Sequence, residues 1–528
     1  MVTISQEQQQ TWLRNFNPFL SNDAVRWPTH AGIYEPLLIH NAINGETLPW
    51  LATAWEFSAD ALTLTYTIRE GVQWSDGTPF TASDVAFTHN TLKDNDALTG
   101  MSGGAKAVLN FVTSIEATSP TSVVFTFSQP YSPGLWDIGE QSIAPEHIFS
   151  TVDDIATFTN EEPVATGPLT EIAVFESQYW ELHKNPNYWQ EGKPYIEGMR
   201  FPAYTSNDAA NLATLNGEND WTANFIPDVE QTFVSKNPEH FNYWFPNTGE
   251  DVMLYLQTTK APFDDPNVRK AISMAINREQ IAEIPMYGYT KPADATGLSD
   301  AFASWKSDAA VQAGAEIVTF NVDKANELLD AAGLTMDGDV RKLPDGSEMS
   351  YEINVVSGWS DWVQSCDLIA RSLGDVGIKA EVRALDFAAW IEVVQKGDFT
   401  ISIGWSAGGA TPYNFYRGQM SELTLEAVVT AGNENWHRYS NPDADAVLAD
   451  FAAATDPAVQ QDLASQLQTL FIENLPSIPL FPGPQWGEYN TMRFTDFPNA
   501  DNPYSVLSTF ALVERLLPIT TIKPVASS

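Results

Sequence analysis

One cysteine, Cys366, stands among 528 residues, so a disulfide within the chain, a thiolate metal cage and Cys-x-x-Cys redox chemistry are all excluded. It falls between Val363 and Ile369 in a helical pattern, which reads Cys366 as a small buried hydrophobe. Basic residues are scarce: Lys and Arg total 27 against 68 Asp and Glu, giving a formal charge of −41 and a pI near 4.2. A surface this acidic repels phosphate backbones and anionic headgroups, which argues against nucleic acid and membrane surfaces as partners. It names no ligand, and reads as a solvated surface suited to an acidic or saline exterior. No run of 18 apolar residues is present to span a bilayer. Met1 leads into the polar stretch Ser5 to Thr11, without the basic and apolar regions of an export signal.

Metal and cofactor signals are equally thin. The seven histidines, at 30, 40, 89, 147, 183, 240 and 437, include no pair at helical ligand spacing. Asp337-Gly338-Asp339 and Asp345-Gly346 read as turns rather than as a calcium loop, which needs a closing Glu at a fixed distance. No glycine loop of the phosphate-cradling kind occurs, so no metal and no cofactor is expected. Gly404-Trp405-Ser406-Ala407-Gly408 matches the GxSxG of a nucleophile elbow. The elbow needs a helix at once, whereas Gly408 to Pro412 reads as a loop, and His437 follows too closely for the usual Ser, acid, His order. A paired-carboxylate glycosidase stays open, because sequence does not reveal how far apart two acids lie.

What is present is a folded globular chain, 43% hydrophobic and 18% charged, long enough for two or three domains. Residues 62–68 alternate, with Leu62, Leu64, Tyr66 and Ile68 on one face, predicting a half-buried strand of an antiparallel sheet. Thr81 and Asp84 predict a helix start, and Asp265 with Pro266 predicts another. Asp323 to Gly333 reads as a short helix stopped by its glycine. Residues 351–405 carry the most information. Ile353 and Val355 lie in a strand, Val363, Cys366, Ile369 and Leu373 form a helical stripe, and Gly377 breaks it. Ile378, Ala380 and Val382 alternate, 387–394 is helical, and Phe399, Ile401, Ile403 and Trp405 alternate again. This β-α-β-α-β run predicts parallel strands joined by right-handed crossovers, hence an α/β fold. Ligands of open sheets bind beyond the carboxyl ends of such strands, and two of those ends carry Trp359 and Trp405. The last residues, from about Pro518, read as a loosely packed tail.

Aromatics are the stronger functional signal. Of 17 tryptophans, Trp221, Trp359, Trp362, Trp405, Trp436 and Trp486 have small or polar neighbours. Sugar rings present C–H faces that stack on indole, and their hydroxyls need planar carboxylate, amide or guanidinium partners. Asp361, Asn15, Asn17, Asn224 and Arg438 are of that type. Against this stands the ordinary place of tryptophan in cores and interfaces.

Leu48-Pro49-Trp50-Leu51-Ala52, Trp55 and the stretch Leu62 to Val85 resemble the signature of the family 5 extracellular solute-binding proteins. These are the oligopeptide, dipeptide, nickel and oligosaccharide receptors of ABC importers. Further matches are Thr166-Gly167-Pro168, Asn185 to Trp189, Phe263 to Ile272 with Asn277-Arg278, Lys324 to Leu329 with Ala332-Gly333, and Asn490 to Phe494. The resemblance implies a two-lobed, periplasmic-binding-protein-like α/β fold with mixed sheets, a hinge and an extra inserted domain. Residues 1–45, 165–255 and 490–528 would build one lobe around an inserted domain at 46–164, and 256–489 the other.

It also implies an extracytoplasmic, non-enzymatic monomer, in the periplasm or on the outer face of the membrane, whose export segment has been removed. Such a protein closes on ligand between its lobes and delivers it to membrane permease subunits. Family peptide receptors hold the ligand's amino terminus with an Asp where Thr411 stands here, in Ala410-Thr411-Pro412-Tyr413, which counts against peptides. The loop Ser357 to Trp362, with Arg14 to Phe19 and Asp220-Trp221, is similar to the branch that binds β-linked oligosaccharides of the cello- and chito-type. The resemblance implies that Trp359 stacks on a sugar and Asp361 accepts hydroxyl hydrogen bonds, and Trp405, at the neighbouring strand end, is expected to stack beside it. Asn15, Phe16, Asn17, Trp221 and Asn224 would contact the ligand from the opposite lobe, with Tyr413, Arg438 and Trp486 completing the expected set. A peptide receptor of the same family and a glycoside or serine hydrolase are the alternatives.

Overall fold

The structure, a computed structural model, describes residues 1–5, 11–22, 24–101, 106–425 and 435–526. The alternation at 62–68 forms the strand Thr63–Ile68, with Leu64, Tyr66 and Ile68 buried. It pairs with Ala52–Phe57 on one side and Ser122–Phe127 on the other in a four-stranded antiparallel sheet. The helix Ala82–Asp94 begins as its sequence dictates: the Thr81 hydroxyl accepts from the Ser83 amide at 3.3 Å while Asp84 accepts from the Thr81 amide at 2.9 Å. Asp265 likewise caps Pro266–Ala275, accepting from the Asn267 amide at 2.8 Å. Asn321 caps Val322–Ala331, and Gly333 takes the positive φ that ends it.

Two units emerge. The first comprises Met1–Pro246 and Gln485–Ser528, the second Asn247–Pro484. In the first unit a seven-stranded sheet runs in the order Phe241–Tyr243, Glu488–Asn490, Trp221–Thr222, Val2–Ser5, Gly198–Pro202, Tyr179–Lys184 and Leu169–Phe175. Val2–Ser5 lies parallel to both of its neighbours, and the other pairings are antiparallel. The end of Val2–Ser5, the end of Trp221–Thr222 and the start of Glu488–Asn490 therefore share one edge.

The second unit contains the expected β-α-β-α-β run: strand Ser350–Val356, helix Ser360–Gly374, strand Lys379–Leu385, helix Phe387–Lys396 and strand Ile401–Trp405. Its five-stranded sheet runs Lys379–Leu385, Ser350–Val356, Ile401–Trp405, Asp251–Leu256, Ile478–Pro482. The first three strands are parallel, while Asp251–Leu256 is antiparallel to both neighbours. Val252 faces Trp405 and Asp251 faces Pro482, so the carboxyl ends of the parallel strands and the start of Asp251–Leu256 lie on the same sheet edge. Every residue of Asp251–Leu256 is buried, as a central strand covered on both faces requires.

The chain end departs from expectation. Instead of a loose tail, Leu516–Thr521 is helical, and Leu516, Pro518, Ile519, Thr520 and Ile522 are buried. Lys523–Pro524 then pairs with Phe494–Thr495. The apolar residues of this segment bury enough surface to hold it down, which a reading by position along the chain overlooks. Among the described residues no helix is long and apolar enough to cross a membrane.

Candidate functional site

In the second unit, Ser357 and Gly358 end the central parallel strand and deliver Trp359 to the first turn of the next helix. Trp405 closes the neighbouring strand. Asp386 caps the helix Phe387–Lys396 through the Ala389 amide at 3.1 Å, placing Phe387 and Trp390 three residues apart on one helical face. The Trp390 indole N–H donates to Ser402 Oγ at 3.2 Å, pinning that ring to the sheet.

The result is a cluster of aromatic rings. Trp359 lies 4.9 Å from Trp362, 5.9 Å from Trp405, 6.0 Å from Trp390 and 5.9 Å from Phe387. Trp405 lies 5.2 Å from Trp390 and 5.4 Å from Trp436. Trp390 and Trp436 are sealed, Trp359, Trp362 and Trp405 are half-buried, and Phe387 is exposed. A rim of indoles thus presents accessible ring surface while resting on a fixed indole floor. Asp361, in the first turn beside Trp359, is buried, and burial pushes its carboxyl up to about 6.

The first unit carries a smaller group at the shared edge of its own sheet. Trp486 lies 5.4 Å from Phe225 and 4.9 Å from Phe245, which in turn lies 4.7 Å from Tyr243. Beneath it Glu488 is buried, its Oε2 accepting from Thr222 Oγ1 at 2.6 Å and from the Asn224 amide at 3.3 Å. Burial pushes Glu488 up to about 8. The Asn224 side chain donates to Ser5 Oγ at 3.4 Å.

Of the residues read from sequence, Trp359, Asp361 and Trp405 come together in one cluster, with Trp486 and Asn224 together in the other. Several do not reach a surface. Trp221 is fully buried, its indole N–H donating to the Leu507 carbonyl at 2.6 Å and its ring packed against Trp27. Phe16 is fully buried against Trp180 and Phe175. The Asn17 side chain, also sealed, donates to the Ile155 and Phe158 carbonyls and accepts from the Phe19 amide. Tyr413 is buried against Phe451. These four are core residues, because their polar atoms or ring faces are already satisfied by protein.

Asn15 is half-buried but shapes its own turn, accepting from the Asn17 amide and donating to the Ala24 carbonyl. Arg438 donates to the Asn435 and Gln395 carbonyls. Sequence reading passed over Trp390, Phe387, Phe225, Phe245, Tyr243 and Glu488. The spacing of Phe387 and Trp390 was visible; the others converge only through strand pairing.

The elbow motif resolves as packing. Ser406 is buried and its hydroxyl has no hydrogen-bond partner, while His437 Nε2 bonds the Gln419 carbonyl, so no Ser–His pair exists there. A Cβ on Gly404 would fall 2.5 Å from Trp436 Cζ3, which is why that position is glycine. Among the described residues no three His, Cys, Asp or Glu side chains group as metal ligands.

The family profile described as bacterial extracellular solute-binding proteins, family 5 Middle, matches residues 46–425. The nickel-binding periplasmic protein of Escherichia coli is 27% identical over 364 residues, covering 67% of this chain and 64% of that protein. The glutathione-binding protein GsiB of Salmonella paratyphi A is 26% identical over 487 residues, covering 88% of this chain and 86% of its own. Among solved structures, the mannohexaose-bound periplasmic oligopeptide-binding protein of Thermotoga maritima superposes with a TM-score of 0.89 at 23% identity. That likeness covers 100% of this chain and 99% of the other.

Proposed function

Because this chain belongs to the bacterial extracellular solute-binding proteins of family 5, we propose that it captures β-linked oligosaccharides of the cello-oligosaccharide type for the permease of an ABC importer. The observation that carries the ligand class is the rim of half-buried Trp359, Trp362 and Trp405 over sealed Trp390 and Trp436 at the carboxyl edge of parallel strands. Flat indole faces held rigidly at a sheet edge match the C–H faces of sugar rings. They lose little side-chain entropy on binding, since packing has already fixed them. Asp361 supplies an acceptor for a sugar hydroxyl beside Trp359.

Family relatives bind nickel and glutathione, and a neighbour of the same fold holds mannohexaose. A six-unit sugar is therefore within the reach of this fold. Thr411, which stands where the resemblance places the peptide-holding Asp, is buried and accepts from the Tyr413 amide at 3.4 Å. That local role offers no charge to a peptide amino terminus.

A thermal-shift screen tests the proposal, because ligand at a hundredfold excess over Kd adds about 2.7 kcal/mol of stability and so raises Tm. Cello-, laminari-, manno-, xylo- and chito-oligomers are compared with di- and tripeptides, glutathione and nickel(II). A saturable rise with a β-linked oligomer is expected. A rise with peptides or glutathione alone, with every sugar silent, assigns the ligand to another class.

A further inference from the structure

Alternate residues of the strand Ile401–Trp405 and its continuation present small side chains to one face of the five-stranded sheet. Ser402 takes the Trp390 indole N–H, and Gly404 takes the Trp436 ring. The third position is Ser406. Its amide donates to the Asp251 carbonyl at 3.0 Å, and the register Val252 to Trp405 sets Ser406 directly opposite Asp251. Residues opposite one another on antiparallel strands project to the same face, with Cβ atoms about 4.5–5.5 Å apart.

At this cross-strand pair, Asp251 is 1% exposed and Ser406 2%. Asp251 Oδ1, Asp251 Oδ2 and Ser406 Oγ have no hydrogen-bond partner. Buried polar atoms are rarely left so, because the desolvation cost goes uncompensated. The surrounding hydroxyls do not answer: Tyr255 donates to the Trp405 carbonyl and Tyr416 to the Thr296 carbonyl, each at 2.9 Å. Thr248 Oγ1 and Asn247 Oδ1, just before Asp251 in the chain, are unpartnered too.

The nearby lysines are paired elsewhere. Lys306 pairs with Asp294 at 2.6 Å and Lys291 with Asp300 at 2.8 Å, and these four charged groups act on the Asp251 carboxyl. Glu250 lies against Gly408 instead. Each lysine is thus committed to another acid, and neither makes an ion pair with Asp251. The unpartnered atoms of this pair and of the residues just before it, Asp251 Oδ1 and Oδ2, Ser406 Oγ, Thr248 Oγ1 and Asn247 Oδ1, are all oxygen, the donor type that suits hard cations rather than transition metals.

We propose that Asp251 and Ser406 form a site for one monovalent alkali cation, sodium or potassium, that neutralises this carboxylate at the sheet edge beside Trp405. The site is independent of the identity of the transported ligand. Burial pushes the Asp251 carboxyl up to about 7, so a proton competes with the cation in acid.

The test is Tm of the whole, ligand-free protein at pH 8.5 in sodium, potassium and choline chloride at equal ionic strength. A saturable rise with sodium or potassium over choline is expected, shrinking at pH 5.5 and absent in Asp251→Asn. Ser406→Ala, which leaves the carboxylate in place, should weaken the half-saturation concentration, and sodium-23 line broadening should follow the same order. Equal Tm in the alkali and choline salts, the mark of ordered water alone, overturns the proposal. So does an undiminished response in both variants, which puts the cation on the acidic surface.

Discussion

The indoles of Trp359 and Trp405 come within 5.9 Å, centroid to centroid, although each is delivered by the end of a different parallel strand. Neither would be a platform alone. Together with Trp362 they make a continuous aromatic rim, immobilised from below by Trp390 and Trp436.

That rim predicts where affinity resides. Trp359→Ala should weaken oligosaccharide binding by about 1–3 kcal/mol in titration calorimetry, as loss of a stacked aromatic in a packed site does. Trp221→Ala is the control: it removes a fully buried ring and should cost about 3–5 kcal/mol of folding stability in denaturant, with Kd unaltered in the folded fraction. Unchanged Kd in the Trp359 variant would remove that residue from the site.

Gly404→Ala should disturb both properties at once. The new methyl would meet the Trp436 ring and push it from beneath Trp405. Overpacking of this kind costs about 1–3 kcal/mol. Chemical denaturation measures that loss, and calorimetry should show weaker binding alongside it. Wild-type affinity in a destabilised Gly404→Ala protein would mean that the sealed floor does not position the rim.

Stability should decline in mild alkali. Burial pushes Glu35 up to about 7, and Glu140, Glu488 and Glu514 up to about 8, from an ordinary 4.5. At Glu35, donors from Trp50, Tyr188 and Trp189 offset only part of the desolvation. A pKa raised in the folded state means that the folded protein keeps protons the unfolded chain has released. The stabilisation is therefore full below about pH 4.5 and is lost as pH rises towards 8. Buried His30, His40 and His437, held down to about 4, 4 and 3, act in the opposite direction only below about pH 6.5. Tm measured from pH 6.5 to 8.5 should therefore fall, and Glu488→Gln, which keeps an acceptor for Thr222 and Asn224, should fall less steeply. A Tm that climbs over this range would contradict the assignment of these carboxyls as buried acids.

Sequence alone determined the local elements. Periodicity fixed the strand Thr63–Ile68 and the β-α-β-α-β run, and hydroxyl or carboxylate caps fixed where helices begin at Thr81 and Asp265, because these depend on residues near one another in the chain. The family signature was legible for the same reason, as was the placing of Trp359 and Trp405 at strand ends. Which tryptophans reach a surface was not legible. Trp221 and Trp359 have similar neighbours in sequence, yet one is sealed against Trp27 and the other stands on the rim. The convergence of Phe225, Phe245 and Trp486, and the pairing of Asp251 with Ser406, arise from strand register across long stretches of chain. Burial is a property of what the whole fold brings alongside a side chain, so only the tertiary structure could decide it.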